Sequence, residues 1–312
     1  TLEFKETITN TFLKTVSAFS NYDGGIILFG VDDDGNIKGL SDVKQACLDI
    51  ENKINDSITP QPDYMLEIQN NDQMIKLTVK SGFHKPYKSK AYKRNDTATI
   101  EVDTLEFSRL VLDGKNIRFE ELPCQYQELS FEILHRKLKE NIRIKNFDKD
   151  TLKTLNLYDD VNGFNNAAGI LADNNHFPGI DIVKFGENIS IIQKRSTFEN
   201  ISVLEVYEKA IDVFRDYYQY EVIQGAARKK MDKIPEEAFR EAIANALIHR
   251  VWDVDSQIRV LMFDDRIEIV SPGGLPSGIT EEEYLSGKLS VLRNRNLANV
   301  FYRLGFVEIF GT

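Results

Sequence analysis

Cysteine is scarce in this chain of 312 residues, which contains only Cys47 and Cys124. The two lie far apart in sequence, without the short spacing of metal-binding pairs, so a zinc ribbon and a disulfide scaffold are both excluded. Long apolar runs are missing too. The longest, residues 25–31, is far too short to cross a bilayer, and no charged-then-apolar leader opens the chain. We therefore expect no membrane partner and a reducing, cytoplasmic compartment.

An excess of positive charge is also missing, because 39 Lys and Arg face 49 Asp and Glu for a net charge of -10. This balance argues against a protein that coats nucleic acid by bulk charge, although a local patch could still bind it. The chain is 42% hydrophobic and 28% charged. These values are typical of globular proteins and exclude disorder, collagen and coiled coil.

A chain of 312 residues is too long for one compact core and indicates two domains, or three. Leu122-Pro123 marks the predicted boundary, since proline ends the preceding element. We therefore predict domains over residues 1–123 and 124–312. The chain starts at Thr1 rather than Met and stops at Thr312, so we expect both ends to be cut from a longer protein and the second domain to be truncated.

The first domain is predicted to alternate helices and strands, from apolar periodicity and turn residues. The predicted elements are a helix over 6–21, a strand over 25–31, a helix over 42–54, a hairpin of 64–69 with 74–79, and a helix over 104–112. The second domain is predicted to contain helices within 128–157, a strand pair at 180–185 and 189–192, a helix over 203–218, a loop over 224–234, a helix over 235–250, strands over 258–263 and 267–270, and a helix over 297–304. The fold class is therefore α/β (α+β), with mixed sheets in both halves.

One segment of the first domain is strongly basic. Between Gln73 and Asn95 there are seven basic residues and no acidic one: Lys76, Lys80, Lys85, Lys88, Lys90, Lys93 and Arg94. Tyr87 and Tyr92 are interleaved among them. Cations attract phosphates and tyrosine faces can stack on unpaired bases. On charge alone, an exposed lysine-rich edge that prevents strand-to-strand aggregation explains the segment about as well.

The predicted helix over 235–250 carries three polar residues at spacings of four. Glu241, Asn245 and His249 form a stripe along the edge of its apolar face, from which they could reach into a cleft. An ordinary solvated helix edge is the alternative, and on the helix alone it is the better explanation.

Several motifs of the first domain resemble, in order, the AlbA-type domain shared with Schlafen proteins. They are Leu2-Glu3-Phe4-Lys5-Glu6, residues 18–25, residues 28–35, Lys85-Pro86-Tyr87 and residues 91–94. The resemblance implies nucleic-acid binding and, in some Schlafen members, a metal-dependent ribonuclease. Glu3 and Asp32 would then be catalytic ligands of Mg or Mn, and a further glutamate would lie before Thr1. A hairpin turn is the alternative explanation for Asp32.

The second domain resembles the C-terminal module named after the RecG helicase, which has a GHKL-like α/β sandwich fold and occurs in prokaryotic transcriptional regulators. The motifs are residues 241–250, residues 265–273, Arg293-Asn294, and Gly305 with Val307-Glu308. The resemblance implies ATP binding, with Glu241 as the ATPase base, Asn245 as a magnesium ligand, and Ser271, Gly273 and Gly274 at the nucleotide. Working GHKL sites have Asp-x-Gly-x-Gly where this chain has Ser271-Pro272-Gly273-Gly274. The second glycine-rich loop of such a site would begin at Gly311 in this chain.

We interpret the chain as a nucleic-acid-binding transcriptional regulator that contacts DNA or RNA. The predicted phosphate and base contacts are Lys85, Tyr87, Lys88, Lys90, Tyr92, Lys93 and Arg94. A metal-dependent endonuclease and an ATP-binding or ATPase module are the alternatives, and we expect a homo-oligomer.

Overall fold

The computed structural model describes residues 1–69, 73–82, 90–224, 227–275, 282, 286 and 291–307. The chain divides into two compact units, Thr1–Ile117 (unit 1) and Arg118–Thr312 (unit 2). The division precedes the predicted one, which lies after residue 123, because the intervening residues are bonded to unit 2. The Phe119 carbonyl accepts a bond from Asn166 Nδ2 at 2.9 Å, and the Glu120 carboxylate accepts one from the Asn296 amide at 2.9 Å.

Unit 1 is built on a four-stranded mixed sheet in the order β1-β2-β4-β3. The first two strands are parallel, and the other neighbours are antiparallel. A separate hairpin is formed by β5 and β6. The strands are β1 Leu2–Lys5, β2 Gly25–Phe29, β3 Tyr64–Gln69, β4 Met74–Val79, β5 Tyr92–Asn95 and β6 Ala98–Glu101.

Three helices accompany these strands: α1 Phe12–Asn21, α2 Val43–Ser57 and α3 Thr104–Gly114. An aspartate begins each of the last two. The Asp42 carboxylate accepts from the Gln45 amide at 3.0 Å and the Asp103 carboxylate from the Glu106 amide at 2.8 Å. Each bond satisfies a first-turn amide that has no partner within its helix.

The unit 1 core lies between the sheet and the helices. Its fully buried side chains are Phe12, Leu13, Val16, Ala18, Phe19, Ile27, Phe29, Ile50, Ile54, Ile58, Ile75, Leu77 and Val79. Gly25 allows a close approach there, because a Cβ at this position would lie 2.6 Å from the Phe19 ring. The start of β2 therefore requires glycine to pack against α1.

Unit 2 has a second four-stranded mixed sheet, in the order β10-β9-β13-β14, in which β9 and β13 are parallel. Two further strand pairs, β7-β8 and β11-β12, form separate two-stranded ribbons. The strands are β7 Tyr158–Asp159, β8 Gly163–Phe164, β9 Ile180–Phe185, β10 Ile192–Phe198, β11 Gln219–Gln224, β12 Ala227–Asp232, β13 Ile258–Met262 and β14 Ile267–Val270.

The helices of unit 2 are α4 Glu132–Ile142, α5 Lys149–Thr154, α6 Asn166–Leu171, α7 Val203–Tyr218, α8 Glu236–His249 and α9 Arg295–Arg303. The Phe214 ring of α7 stacks on the Phe239 ring of α8, with their centroids 4.5 Å apart. Ile243 and Leu247 follow on the same face of α8 and are fully buried. This face joins α8 to the largest hydrophobic core of the described chain.

The structure confirms an α+β fold with several small mixed sheets. The predicted loop over 224–234 is wrong, because residues 219–224 and 227–232 form the β11-β12 hairpin. The polar and basic composition of β12 concealed its strand character, which depends on pairing with β11. Among the described residues, no helix is long and apolar enough to span a membrane.

Candidate nucleic-acid interface

The structure pairs each described cation of the basic segment with a carboxylate. Lys85, Tyr87 and Lys88 lie outside the described residues. The remaining nitrogen–oxygen distances are 2.7 Å for Lys76–Glu67, 3.1 Å for Lys80–Asp63, 2.8 Å for Lys90–Glu101, 2.6 Å for Lys93–Glu106 and 2.8 Å for Arg94–Glu3. The carboxylates come from other parts of unit 1, so the charges of these five described cations are each balanced by a neighbour that is distant in sequence.

Arg94 is part of the packed framework of unit 1. Its side chain is 14% exposed, and its guanidinium pairs with Glu3 and lies 5.8 Å from the Phe19 ring centroid. The same guanidinium donates to Thr99 Oγ1 at 2.7 Å and to the Thr97 carbonyl at 2.8 Å. Both terminal nitrogens of the guanidinium are therefore bonded within the unit.

Lys93 belongs to a second internal network. Its ammonium donates to Glu106 Oε2 at 2.6 Å, and the Tyr22 hydroxyl donates to the other oxygen of the same carboxylate. Burial, followed by the bond to Glu106, raises the pKa of Tyr22. This network ties β5 to α3 and to the end of α1.

Tyr92 does not offer a ring face to a base, because it is 6% exposed and belongs to the unit 1 core. The Lys14 ammonium lies 5.6 Å from its ring centroid. Alternation places Tyr92 and Arg94 on one side of β5. That side faces α1, where Lys14 and Phe19 contact them. The inner side of β5 therefore supports packing rather than base stacking.

Lys80 and Lys90 are the most exposed cations of the segment within the described residues. Their side chains are 67% and 54% exposed, and their partners Asp63 and Glu101 are 67% and 48% exposed. The bond to Glu101 raises the pKa of Lys90, so this lysine stays charged. Ion pairs this exposed to water contribute little to stability, so a phosphate can replace the carboxylate at low cost.

Glu3 and Asp32, the predicted metal ligands, are both engaged by protein groups. Glu3 pairs with Lys5 at 2.7 Å as well as with Arg94. Asp32 closes a turn by accepting from the amides of Asp34 at 3.1 Å and Asn36 at 2.7 Å. The Asn36 amide bond is the main reason that the pKa of Asp32 is lowered.

The arrangement of these two carboxylates does not fit a preformed cation site. Glu3 is level with Ile27 in the β1-β2 ladder, whereas Asp32 lies beyond the end of that ladder. Among the residues that the structure describes, no three His, Cys, Asp or Glu side chains are grouped as metal ligands. A metal would have to displace Lys5 and Arg94 from Glu3, so we derive no hydrolytic step, and the nuclease role stays a prediction.

On α8, the predicted ATPase residues Glu241 and Asn245 are exposed. His249, the third member of the stripe, lies at the end of α8 and is half-buried. Burial, helped by the charge of Arg293, lowers the pKa of His249, so its imidazole is neutral at pH 7. The first two residues of the stripe are therefore in solvent, whereas the third packs against other residues.

The corner after β14 is bonded to the end of α8. The Ser271 hydroxyl donates to the Ala246 carbonyl at 2.9 Å. Arg293 donates to the Gly274 carbonyl at 2.6 Å, and a Cβ on Gly273 would lie 2.5 Å from the Arg293 guanidinium. The Ser271 hydroxyl has engaged its proton but can still accept, and as a neutral group it is a weaker acceptor for an adenine amino group than the aspartate of working GHKL sites. ATP binding stays a prediction, and we derive no step through it.

Sequence reasoning missed two buried ionisable residues. Arg250 is fully buried, and its guanidinium donates to the carbonyls of Pro178 at 2.9 Å and Ser256 at 2.6 Å. Burial lowers its pKa to about 10. Glu120 is also fully buried, and burial raises its pKa to about 7 against the effect of two backbone donors. The only signal in the sequence for the burial of Arg250 or Glu120 would have been a charged residue among apolar neighbours.

Comparison with known families agrees with both resemblances. Residues 1–103 match the family model described as Schlafen, AlbA_2. Residues 255–312 match the model described as "Putative ATP-dependent DNA helicase recG C-terminal". The two matches occur in the predicted order and confirm the predicted combination of domains.

A solved structure shares the overall fold. The DIP2311 protein from Corynebacterium diphtheriae matches over 98% of this chain and 67% of its own, with a TM-score of 0.53 and 21% sequence identity. At this identity the likeness concerns the fold alone. Among curated proteins, the comparison found no match.

Proposed function

We propose that this chain is a nucleic-acid-binding regulatory protein in which unit 1 contributes phosphate contacts. The observation that carries the proposal is the match of residues 1–103 to the Schlafen AlbA_2 model, because that resemblance implies nucleic-acid binding. The match of residues 255–312 to a model described for a DNA helicase is consistent with the same class of ligand. Binding by an acidic protein requires cations gathered in one place.

The geometry of unit 1 divides four described cations of the basic segment into two groups. Lys80 and Lys90 belong to exposed ion pairs that a phosphate can replace. Lys93 and Arg94 belong to networks that hold β5 in place. In this proposal the first group binds phosphate and the second maintains the surface from which binding occurs.

Binding is preferred to catalysis because the predicted catalytic carboxylates have other bonds. Glu3 pairs with Lys5 and Arg94, and Asp32 closes a turn. Glu241 is exposed at the edge of α8. Binding requires no rearrangement of these groups, whereas hydrolysis requires Glu3 to lose two cationic partners.

The proposal is tested by binding of fluorescein-labelled 20-nucleotide DNA and RNA, single-stranded and duplex, to the wild-type chain at low salt. Manganese is added in parallel samples, and the products are checked for cutting. We expect saturable binding to at least one probe without cleavage. Absence of binding to all four probes would refute the proposal, and manganese-dependent cutting lost in Glu3→Ala would replace it with the nuclease.

The paired variant for unit 1 is Lys80→Gln with Lys90→Gln. Each exposed lysine lost is expected to reduce the dependence of log K on log salt by about 0.9 in slope, without altering the melting temperature. Lys139→Gln with Lys145→Gln is the matched control, since it removes the same charge from exposed positions of unit 2. Equal loss of binding in both pairs would indicate an effect of net charge alone.

A further inference from the structure

We propose that the β11-β12 hairpin of unit 2 is a DNA-contacting arm, a role that rests on the proposed nucleic-acid-binding function. The hairpin pairs residues 219–224 with residues 227–232 along its full length. It forms a sheet of its own, so its two outer edges have no strand neighbour among the described residues. Unit 2 thus presents a two-stranded ribbon whose faces and edges are open for a ligand.

The ribbon concentrates three cations, of which only Arg228 has a carboxylate partner among the described residues. Arg228, Lys229 and Lys230 follow one another on β12 and are all exposed. Arg228 lies 3.5 Å from Glu221, in a pair that is 76% and 48% exposed. Among the described residues, no carboxylate lies within ion-pairing distance of Lys229 or Lys230, in contrast with the paired cations of the basic segment in unit 1.

Register places these cations on both faces of the ribbon. Lys229 lies opposite Val222, on the face that also carries Tyr220 and Met231. Arg228 and Lys230 lie on the other face, opposite Ile223 and Glu221. Cations therefore occur on both faces of the ribbon, and the face with Arg228 and Lys230 also carries the carboxylates of Glu221 and Asp232.

Exposed apolar groups accompany the charge. Tyr220 is 44%, Ile223 is 72% and Met231 is 37% exposed. In a DNA groove such groups can contact base edges and thymine methyl groups, while the cations contact phosphates. A ribbon with cations on both faces suits a DNA groove, because phosphates line both walls of the groove.

Duplex DNA is the occupant that suits a two-stranded basic ribbon. A B-DNA major groove is about 12 Å wide and admits a two-stranded β-ribbon. The major groove of duplex RNA is too narrow and deep for side chains to read. Pairing with a second copy is disfavoured, because adjacent β12 strands would place basic residues opposite one another.

The test is a salt titration of the full chain on a fluorescein-labelled 20-base-pair DNA duplex, followed by anisotropy. The variant R228Q/K229Q/K230Q removes the three cations, and R136Q/K139Q/K145Q removes an equal charge from exposed positions elsewhere in unit 2. We expect the hairpin variant to lose about 2 to 3 from the slope of log K against log salt, and the control to match the wild type. K229R/K230R keeps the charge and is expected to bind as the wild type does.

The outcomes separate this inference from the proposed function. If the wild type binds and the hairpin variant binds with the same slope, the arm is excluded while nucleic-acid binding stands. If the wild type binds no nucleic acid, the proposed function fails, and the arm fails with it. If the variant instead converts a wild-type dimer into a monomer with DNA affinity unchanged, the hairpin is a self-association surface and the proposal is overturned. Circular dichroism confirms that each variant is folded.

Discussion

The pairing of opposite charges determines what each basic residue of unit 1 can do. Arg94 and Lys90 are four residues apart, yet the first is 14% exposed and the second 54%. Arg94 bonds with groups on β1 and β6, whereas Lys90 has one exposed partner. Residues of one sequence motif therefore have different roles.

Arg94→Gln is expected to destabilise unit 1 by about 2 to 3 kcal/mol, because Glu3 would lose a part-buried partner. Urea unfolding of the full chain measures this loss. Lys90→Gln is the control and is expected to leave the unfolding midpoint unchanged. The assignment fails if the two variants unfold at the same urea concentration.

Glu120 gives unit 2 a pH dependence whose direction follows from its raised pKa. The folded-state value of about 7 exceeds the ordinary value of 4.5, because burial outweighs the bonds from the Asn296 and Leu297 amides. Between these values the folded state holds a proton that the unfolded state has released. The contribution of Glu120 is therefore full below pH 4.5 and is lost as the pH rises through 7.

Glu120→Gln is expected to remove this dependence, since glutamine remains neutral like the protonated acid. The free energy of unfolding of the wild type should fall relative to that of the variant between pH 5 and pH 7, by about 1.4 kcal/mol per pH unit at most. Urea unfolding at half-unit pH intervals measures the difference. Parallel profiles would show that Glu120 does not titrate in this range.

At the scale of elements, Arg250 holds the connection between α8 and β13. Its guanidinium donates to carbonyls that precede β9 and to those of Val254 and Ser256. It also lies 4.4 Å from the Trp252 ring centroid. One buried side chain thus fixes the loop between α8 and β13 and connects that loop to the start of β9.

Arg250→Met is expected to lower the free energy of unfolding by about 3 kcal/mol or more, because several buried carbonyls lose their donor at once. Arg259→Met, at an exposed position of β13, is the control and should change it by less than about 0.5 kcal/mol. Chemical denaturation followed by Trp252 fluorescence compares them. A small effect of Arg250→Met would mean that water can replace the guanidinium.

Elements with strong local patterns could be predicted from the sequence, and those that depend on distant partners could not. The β3-β4 hairpin and α7 have the predicted bounds. Helix α1 begins at Phe12 rather than at residue 6, because residues 6–11 form bends and a turn after β1 ends at Lys5. The β11-β12 hairpin was missed because its basic strand has no apolar alternation of its own.

The basic composition of the candidate site could be predicted from the sequence, but the ion pairs that its cations form could not. The sequence shows seven basic residues between Gln73 and Asn95. Their carboxylate partners are as distant in sequence as Glu3, which lies 91 positions before Arg94. Such ion pairs depend on the tertiary fold, so no spacing rule along the chain predicts them. The same limit applies to Glu120, whose partners lie in α9.

For the whole molecule, each unit has its own hydrophobic core. The unit 1 clusters contain residues 12–92 and 91–110, and the unit 2 cluster contains residues 131–304. Within the described ranges, no cluster contains buried residues of both units. We therefore expect the units to unfold with separable stabilities.

Ile27→Ala in unit 1 and Leu247→Ala in unit 2 test this separation, since both residues are fully buried. Each is expected to lower the stability of its own unit by about 2 to 5 kcal/mol and leave the other unit unchanged. Differential scanning calorimetry of the full chain follows both transitions. A single transition that shifts equally in both variants would indicate one cooperative unit.

The most direct test of the account is the salt dependence of duplex DNA binding by the wild-type chain, measured from 50 to about 300 mM potassium chloride. A protein of net charge -10 that binds through local cations should show log K falling linearly with log salt, with a slope of about -2 or steeper. A flat profile, or no binding at the lowest salt, would contradict the claim that concentrated cations bind a polyanion.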